Sequence, residues 1–395
     1  MMRLVYLADT QIPSRATNGI QVMRMCAAFA ANGIDVTLVH PHRFGNTPEG
    51  FDGDVGAFYG VSETFRRVTL PTLLTLRLSR FQRFARIARA IPLASWLTAR
   101  SRPGAAPFAV YSRSMVGAWL AVRIRRLWGR RSACQRVFIE LHDVPQVGAR
   151  KVLFAADGLV VISEALRRHL VEVGVAAADR ALVEHDGADL STTARIENRE
   201  AVRRELGLTE DLTVVGYTGR VNAEKGIGTI LEAAQTLQEA PVHFLIIGKR
   251  YGSYAVSTEA DLANVTMTGF VPPSDVPEYV AASDILVMPT SASLPYAEFT
   301  SPLKLFEYMG SGRPIICSDL PVLREVLRNG ENAMLVAPDD PDELVAAVQR
   351  LLAEPELQQT LAAQALMDVT RYAWTKRAAR ILNWMDQGFG NRCRD

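Results

Sequence analysis

Ser301, Pro302, Leu303 and Lys304, followed by Glu307 within EFTSPLKLFEYMGSGRPII, are residue types that can hold an anion and a hydroxylated group side by side. Ser301 can cap a helix start, Pro302 suits the first helical position, and the Leu303 and Lys304 amides then point out of a helix end of the kind that binds phosphate. Glu307 lies five residues after Pro302. Helical side chains lean toward the N-terminus, so its carboxylate can reach a hydroxyl-bearing group attached to that phosphate. A helix that holds a diphosphate and a ribose together reads sugar nucleotides. An ordinary surface helix beginning on Ser-Pro, with Glu307 in solvent, would show the same pattern.

A second anion site is written in VVGYTGRVNAEKGIGTILEAA, which places a strand, a glycine-bearing turn and a helix in succession. Gly219 and Gly226 permit close backbone approach, while Arg220 and Lys225 can clamp a diphosphate and offset the charge that builds as it leaves. The loop is neither a Walker A sequence nor a GxGxxG fingerprint. Gly-Arg and Lys-Gly also occur in plain strand-to-helix turns. Two such loops at the carboxyl ends of parallel strands would face one crevice, where doubly wound folds bind ligands. Asp52-Gly53-Asp54 has the form of a metal-binding DxD. Its Gly-rich surroundings read as a turn, so no catalytic metal is expected and the two cations take that electrostatic role.

The elements that must carry these residues form two α/β halves. The first opens with a strand near Arg3 to Ala8, a loop through Asn18 and Gly19, a helix to about Asn32 and a strand at Asp35 to Val39, with further strands at Phe108 to Tyr111, Val137 to Leu141 and Gly158 to Ile162. The second has strands at Val214 to Tyr217, His243 to Ile247, Val265 to Thr268 and Ile285 to Pro289, alternating with helices. Alternation of this kind predicts parallel doubly wound sheets. The expected domains are 1–190 and 191–370, with a final apolar-faced helix in 371–395 packing back on the first.

Composition sets the class. Of 395 residues 48% are hydrophobic and 22% charged, values of an ordinary globular protein of two domains or so. The N-terminus MMRLVYLADT reads as a first strand rather than an export leader, and four scattered cysteines show no ligand spacing, so a reduced, cytoplasmic protein is expected. Net charge is only +2, yet Thr64 to Ile139 holds sixteen arginines and no Lys, Asp or Glu. Within it Leu73 to Ile91 reads as an amphipathic helix with Arg83, Arg86 and Arg89 on its polar face. That pattern suits the anionic inner face of a membrane, and equally a core-packed helix with a solvated face. Too few aromatics interleave for a nucleic-acid platform.

Together with VISEALRRHL, EHDGADL, NVTMTGFVPPSDVPEYVAASDILVMPT and NGENAMLVAP, all in order, these motifs make the chain resemble the retaining, two-Rossmann-domain glycosyltransferases of family 4, the group 1 glycosyl transferases with the GT-B fold. The SPLKLFEYM form resembles a subgroup common among polysaccharide and O-antigen enzymes. The resemblance implies two Rossmann-like domains facing a cleft, no cofactor beyond a UDP- or GDP-sugar co-substrate, and a glycan or lipid-linked acceptor. It implies that Arg220 and Lys225 grip the donor diphosphate near Gly219 and that Glu307 binds ribose hydroxyls. Ser301 and the Leu303 and Lys304 amides would lie near phosphate and sugar, Gly248 near the nucleoside, and Phe270 and Val271 beside the base. His142, ending the strand in FIELHDVP, would meet the transferred sugar, with Gly19 lining the cleft; a lone strand-end histidine is otherwise commonly structural. The family usually has a second Glu eight residues before the ribose acid, where this chain has Phe299, with Glu298 one residue away. Two other readings use the same residues: a sugar-nucleotide epimerase or phosphorylase of this fold, and an inactive glycan- or membrane-binding protein.

Overall fold

The computed structural model describes residues 2–42, 47–71, 82–145, 147–190, 199–250 and 262–390. The chain folds as two compact units, Met1–His185 with Trp374–Asp395, and Asp186–Ala373.

The first unit is built on a seven-stranded sheet in the order β3-β2-β1-β4-β5-β6-β7, every pair parallel. The strands are β1 Arg3–Leu7, β2 Asp35–His42, β3 Arg66–Pro71, β4 Phe108–Ser112, β5 Cys134–Leu141, β6 Gly158–Val161 and β7 Ala181–Val183. Parallel strands need crossovers, supplied by helices that include α1 Thr17–Ala31, α2 Val55–Tyr59, α3 Gln82–Ser101, α4 Met115–Trp128, α5 Arg150–Ala155 and α6 Glu164–Glu172. Ser163 caps α6 by accepting the Leu166 N–H at 3.2 Å. Helix α13, Trp374–Gly390, packs against α1. Its Trp384 lies where a Cβ on Gly158 would fall 2.2 Å from the ring, and it meets Phe138 edge-on with centroids 5.8 Å apart. Helix and strand are thus keyed by a glycine.

The second unit holds a six-stranded parallel sheet ordered β10-β9-β8-β11-β12-β13. Its strands are β8 Thr213–Thr218, β9 Val242–Ile247, β10 Val265–Gly269, β11 Ile285–Met288, β12 Ile315–Ser318 and β13 Met334–Val336. The helices are α7 Arg199–Glu205, α8 Ile227–Thr236, α9 Val276–Ala282, α10 Leu303–Met309, α11 Pro341–Ala353 and α12 Pro355–Val369. Strands β9, β11 and β12 are buried along their whole length, as expected of parallel strands covered on both faces. Chain order reverses between β8 and β11, which makes the carboxyl ends of those two strands the position where such sheets bind ligands.

The predicted strands are present to within a few residues, and β3, β7, β12 and β13 add to them, whereas the helix expected to end at Ile91 runs on to Ser101. The predicted helix from Leu73 to Ile91 is described only from Gln82 onward; Leu73 to Phe81 and the side chains of Arg83, Arg86 and Arg89 lie outside the described residues.

Candidate active site

In the second unit, β8 is followed by Gly219, whose φ is +131° and whose N–H donates to Ile247 O at 2.9 Å. Gly248 then follows β9 with φ +152°, and a Cβ there would lie 1.7 Å from Gly219 O. Only glycine allows the two loops to touch. Gly248 in turn bridges to Gly269 at the end of β10, which brings Phe270 and Val271 to the same rim. Phe270 is half-buried, whereas Val271 packs on Leu208, Val214, Leu245 and Ile247.

Lys225 sits on a short turn, Ala223–Lys225, closed by Gly226 at φ +71°. A Cβ on Gly226 would meet Pro289 O at 1.6 Å, and Ser291 N–H donates to Glu224 O at 3.2 Å. The turn is therefore seated on the chain leaving β11, across the reversal point from β8. Helix α10 is held from the other side: Tyr308 OH accepts the Thr218 N–H at 2.7 Å and lies 3.1 Å from Thr218 Oγ1. Its Leu303, Leu305, Phe306 and Met309 side chains are buried. Lys304 lays its ammonium 3.9 Å from the centre of the Tyr217 ring, a cation–π contact, while Tyr217 OH donates to Arg220 O at 2.9 Å. A Cβ on Gly219 would come within 2.7 Å of Lys304 Nζ, so Gly219 makes room for that cation.

The electrostatics follow from this crowding. Burial, then the Lys225 charge, hold the Lys304 ammonium well below the usual lysine range, with Glu307 opposing the shift. Lys304 as a residue is half-buried. Burial and then Arg220 depress Lys225, against a smaller opposing effect of Glu224. Glu307 and Arg220 are exposed. Cations that burial and mutual repulsion disfavour are stabilised most by an anion, and such perturbed groups cluster where ligands are bound.

Two sequence expectations are corrected. Ser301 does not cap α10: Pro302 is the N-cap residue, with no side-chain cap among the described residues, and the Ser301 hydroxyl instead accepts the Asp186 N–H at 3.1 Å. The amides of Leu303 and Lys304 remain the first of the helix, beyond reach of intrahelical acceptors. Gly19 lies not in a loop but in the first turn of α1. Thr, Asn and Gly are weak helix formers, but tertiary contact overrides propensity: Tyr59 OH packs on Gly19, donates to Ser14 O at 3.0 Å and accepts the Ser14 N–H at 2.7 Å.

Asp54 accepts the Ala57 N–H and Asp52 accepts the Asp54 N–H, each at 3.0 Å, so both carboxylates serve the turn into α2. Glu298 is exposed, and Phe299 is half-buried with its N–H on Tyr296 O at 3.0 Å. His142 belongs to the first unit, and its Nε2 lies 2.9 Å from Glu140 Oε1. The Lys304 contact with Tyr217 and the buried Glu140–Arg377 pair are not among the sequence expectations. Glu140 interrupts the apolar run VFIEL, and Arg377 falls on the buried stripe of α13 with Ala378, Ile381 and Met385. Charges at positions patterned for the core were the available signal.

Residues 213–354 match the family model described as Glycosyl transferases group 1. A D-inositol 3-phosphate glycosyltransferase of Rhodococcus jostii is 30% identical over 250 residues, which cover 60% of this chain and 54% of that protein. The chain thus spans about half the length of the curated relatives it matches. Among solved structures, a sucrose-phosphate synthase from Thermosynechococcus elongatus superposes with a TM-score of 0.74 at 19% identity, covering 98% of this chain and 99% of that one. Anabaena HepE in complex with UDP-glucose gives 0.69 at 16% identity, over 98% and 100% of the two chains. The fold is that of the GT-B glycosyltransferases, and residues 213–354 match the glycosyl transferases group 1 family.

Proposed function

We propose that the protein is a retaining glycosyltransferase that moves a sugar from a UDP- or GDP-sugar onto a hydroxyl of a glycan or lipid-linked glycan. The observation that carries this reading is the convergence of Lys225, Lys304, Arg220 and the Gly219 and Gly248 backbones at the β8–β11 reversal point, with Glu307 on the adjoining helix. In this reading the cations take the diphosphate, the first amides of α10 assist, and Glu307 accepts hydrogen bonds from the ribose hydroxyls. His142 meets the transferred sugar. As the bond from the anomeric carbon to the diphosphate oxygen breaks, the acceptor oxygen bonds to that carbon on the same face and its proton passes to the leaving phosphate. Arg220 and Lys225 stabilise the developing charge, the task a metal ion performs elsewhere. The relatives named for transfer to D-inositol 3-phosphate support a hydroxyl acceptor.

The test is incubation with UDP- and GDP-sugars in the presence of EDTA, with NMR of the product anomer. Release of free nucleotide with retained configuration is expected, undiminished by the chelator. Donor epimerisation without nucleotide release would favour the epimerase reading, and metal-restored activity would return attention to Asp52 and Asp54.

The same proposal places the protein on the cytoplasmic side of an anionic membrane. No helix among the described residues is long and apolar enough to cross one. Arg67 and Arg125 find acidic partners just outside the Arg-rich region, in Glu63 and Asp157. Helix α4 keeps an exposed face with Trp119 at 42% and Leu127 at 71% exposure beside Arg123, Arg126 and Arg130. An apolar stripe rimmed by arginines fits anionic lipid, each surface-near arginine contributing about 1 kcal/mol. In liposome flotation the Arg123→Gln/Arg126→Gln/Arg130→Gln variant should lose most of its recovery on anionic vesicles. Equal recovery of wild type on neutral and anionic vesicles would leave α4 a solvated helix.

A further inference from the structure

Arg377 and Glu140 are both wholly buried, although they lie on α13 and β5, 237 residues apart. The Arg377 guanidinium donates to Glu140 Oε1 at 2.8 Å, to His185 O at 2.7 Å and to Glu184 O at 3.1 Å. Glu140 Oε1 also accepts from Gln21 Nε2 of α1 at 2.7 Å and faces His142 Nε2 at 2.9 Å. Gln21 is itself oriented by Arg113, which donates to Gln21 Oε1 at 2.7 Å. Burial opposes the Glu140 charge, but Arg377, the hydrogen bond from His142 and Arg113 outweigh it and hold the carboxyl well below its usual range. The Tyr6 and Tyr111 hydroxyls and the Cys26 thiol nearby are pushed up by burial and then by that same negative charge.

A buried ion pair is a poor source of stability, because desolvation offsets most of its attraction. Packing of α13 is already supplied by Trp384 on Gly158 and by Arg380, whose Nε and Nη2 each donate to Glu184 at 2.7 Å. What the pair does supply is an ionised acceptor at a fixed point next to His142. A carboxylate can only accept, so Nε2 of His142 must carry a proton, which settles the tautomer of the neutral ring.

We infer that Glu140, held by Arg377 of the C-terminal helix, is a positioning residue that fixes the orientation and Nε2–H tautomer of His142 for sugar transfer. The inference rests on the proposed role of His142 and adds the residues that prepare it. Carboxylate partners of this kind fix ring orientation in other histidine sites, and small misplacements cost turnover steeply.

The test combines NMR with kinetics on the full chain. In the wild type, nitrogen NMR of the neutral rings, assigned with a His142→Asn variant, should show His142 as the Nε2–H tautomer; an Nδ1–H tautomer would overturn the inference without recourse to any variant. In the Glu140→Met/Arg377→Met protein both charges are gone, so no lone buried ion is left and folding should survive. There the tautomer should become mixed and kcat should fall at least about tenfold with donor KM unchanged. Wild-type kcat in that double variant would show the pair to be structural only and would overturn the inference. A wild type that turns over no sugar nucleotide counts against the proposed function alone, since the tautomer is read without turnover.

Discussion

Lys225→Ala should lower turnover on the order of a hundredfold or more while leaving the donor KM within a few-fold of wild type. The reason is differential: the ammonium is held where burial and Arg220 already disfavour its charge, so its gain is greatest when the leaving diphosphate becomes more negative. Glu307→Ala should behave in the opposite way. A hydrogen bond from ribose to an exposed carboxylate is nearly the same before and during reaction, so its loss raises KM and changes kcat little. Steady-state kinetics of the two variants side by side checks both. Wild-type turnover in Lys225→Ala would mean that Lys225 does not clamp the diphosphate.

The second large effect is on folding. Gly248→Ala should destabilise the second unit by about 3 kcal/mol or more, since the new methyl would have to enter the Gly219 carbonyl at a φ that side chains avoid. Gly269→Ala is the matched control. Its φ of +73° is also left-handed, but a Cβ there meets nothing within 4 Å, so it carries only the backbone strain of about 1 kcal/mol. Denaturant midpoints of the two variants compare them directly. Equal midpoints would mean that the loops after β8 and β9 are not locked by their glycines, and that the rim carrying Gly219 and Phe270 is less fixed than described.

The parts of the fold that could be read from sequence are those with strong periodic or apolar signals. The runs at Val214 to Tyr217 and His243 to Ile247 are long, enclosed strands and announce themselves. Strand β3, RRVTLP, lies at a sheet edge with two arginines and so lacks an apolar run, while β7 and β13 have three residues each, too few for a period. The start of α1 was obscured because Thr17, Asn18 and Gly19 carry loop propensity, which the Tyr59 contact overrules.

The site was legible in the same uneven way. Arg220, Lys225 and Glu307 stand next to turn and helix-start signals, so local chemistry exposes them. Lys304 was read for its amide alone. Its side chain joins the cation cluster only because Gly219 leaves space and Tyr217 offers a ring face, and both facts depend on β8 and α10 meeting in space. Ser301 illustrates the converse, a residue with a strong local capping signal whose hydroxyl accepts the distant Asp186 amide. Glu140 and Arg377 needed the whole chain to come together before their pairing could be seen.

The proposed function requires that the second unit bind a nucleoside diphosphate through the cations beside β8 and the acid of α10. Thermal melting of the wild type and of Glu307→Ala with UDP, GDP, ADP and the corresponding sugars tests it most directly, because a ligand bound only by the folded state raises its stability by mass action, about 2.7 kcal/mol at a hundred times Kd. A clear rise in melting temperature with UDP or GDP and its sugar is expected in the wild type, reduced in Glu307→Ala. No rise with any nucleotide, or the same rise in both proteins, would contradict it.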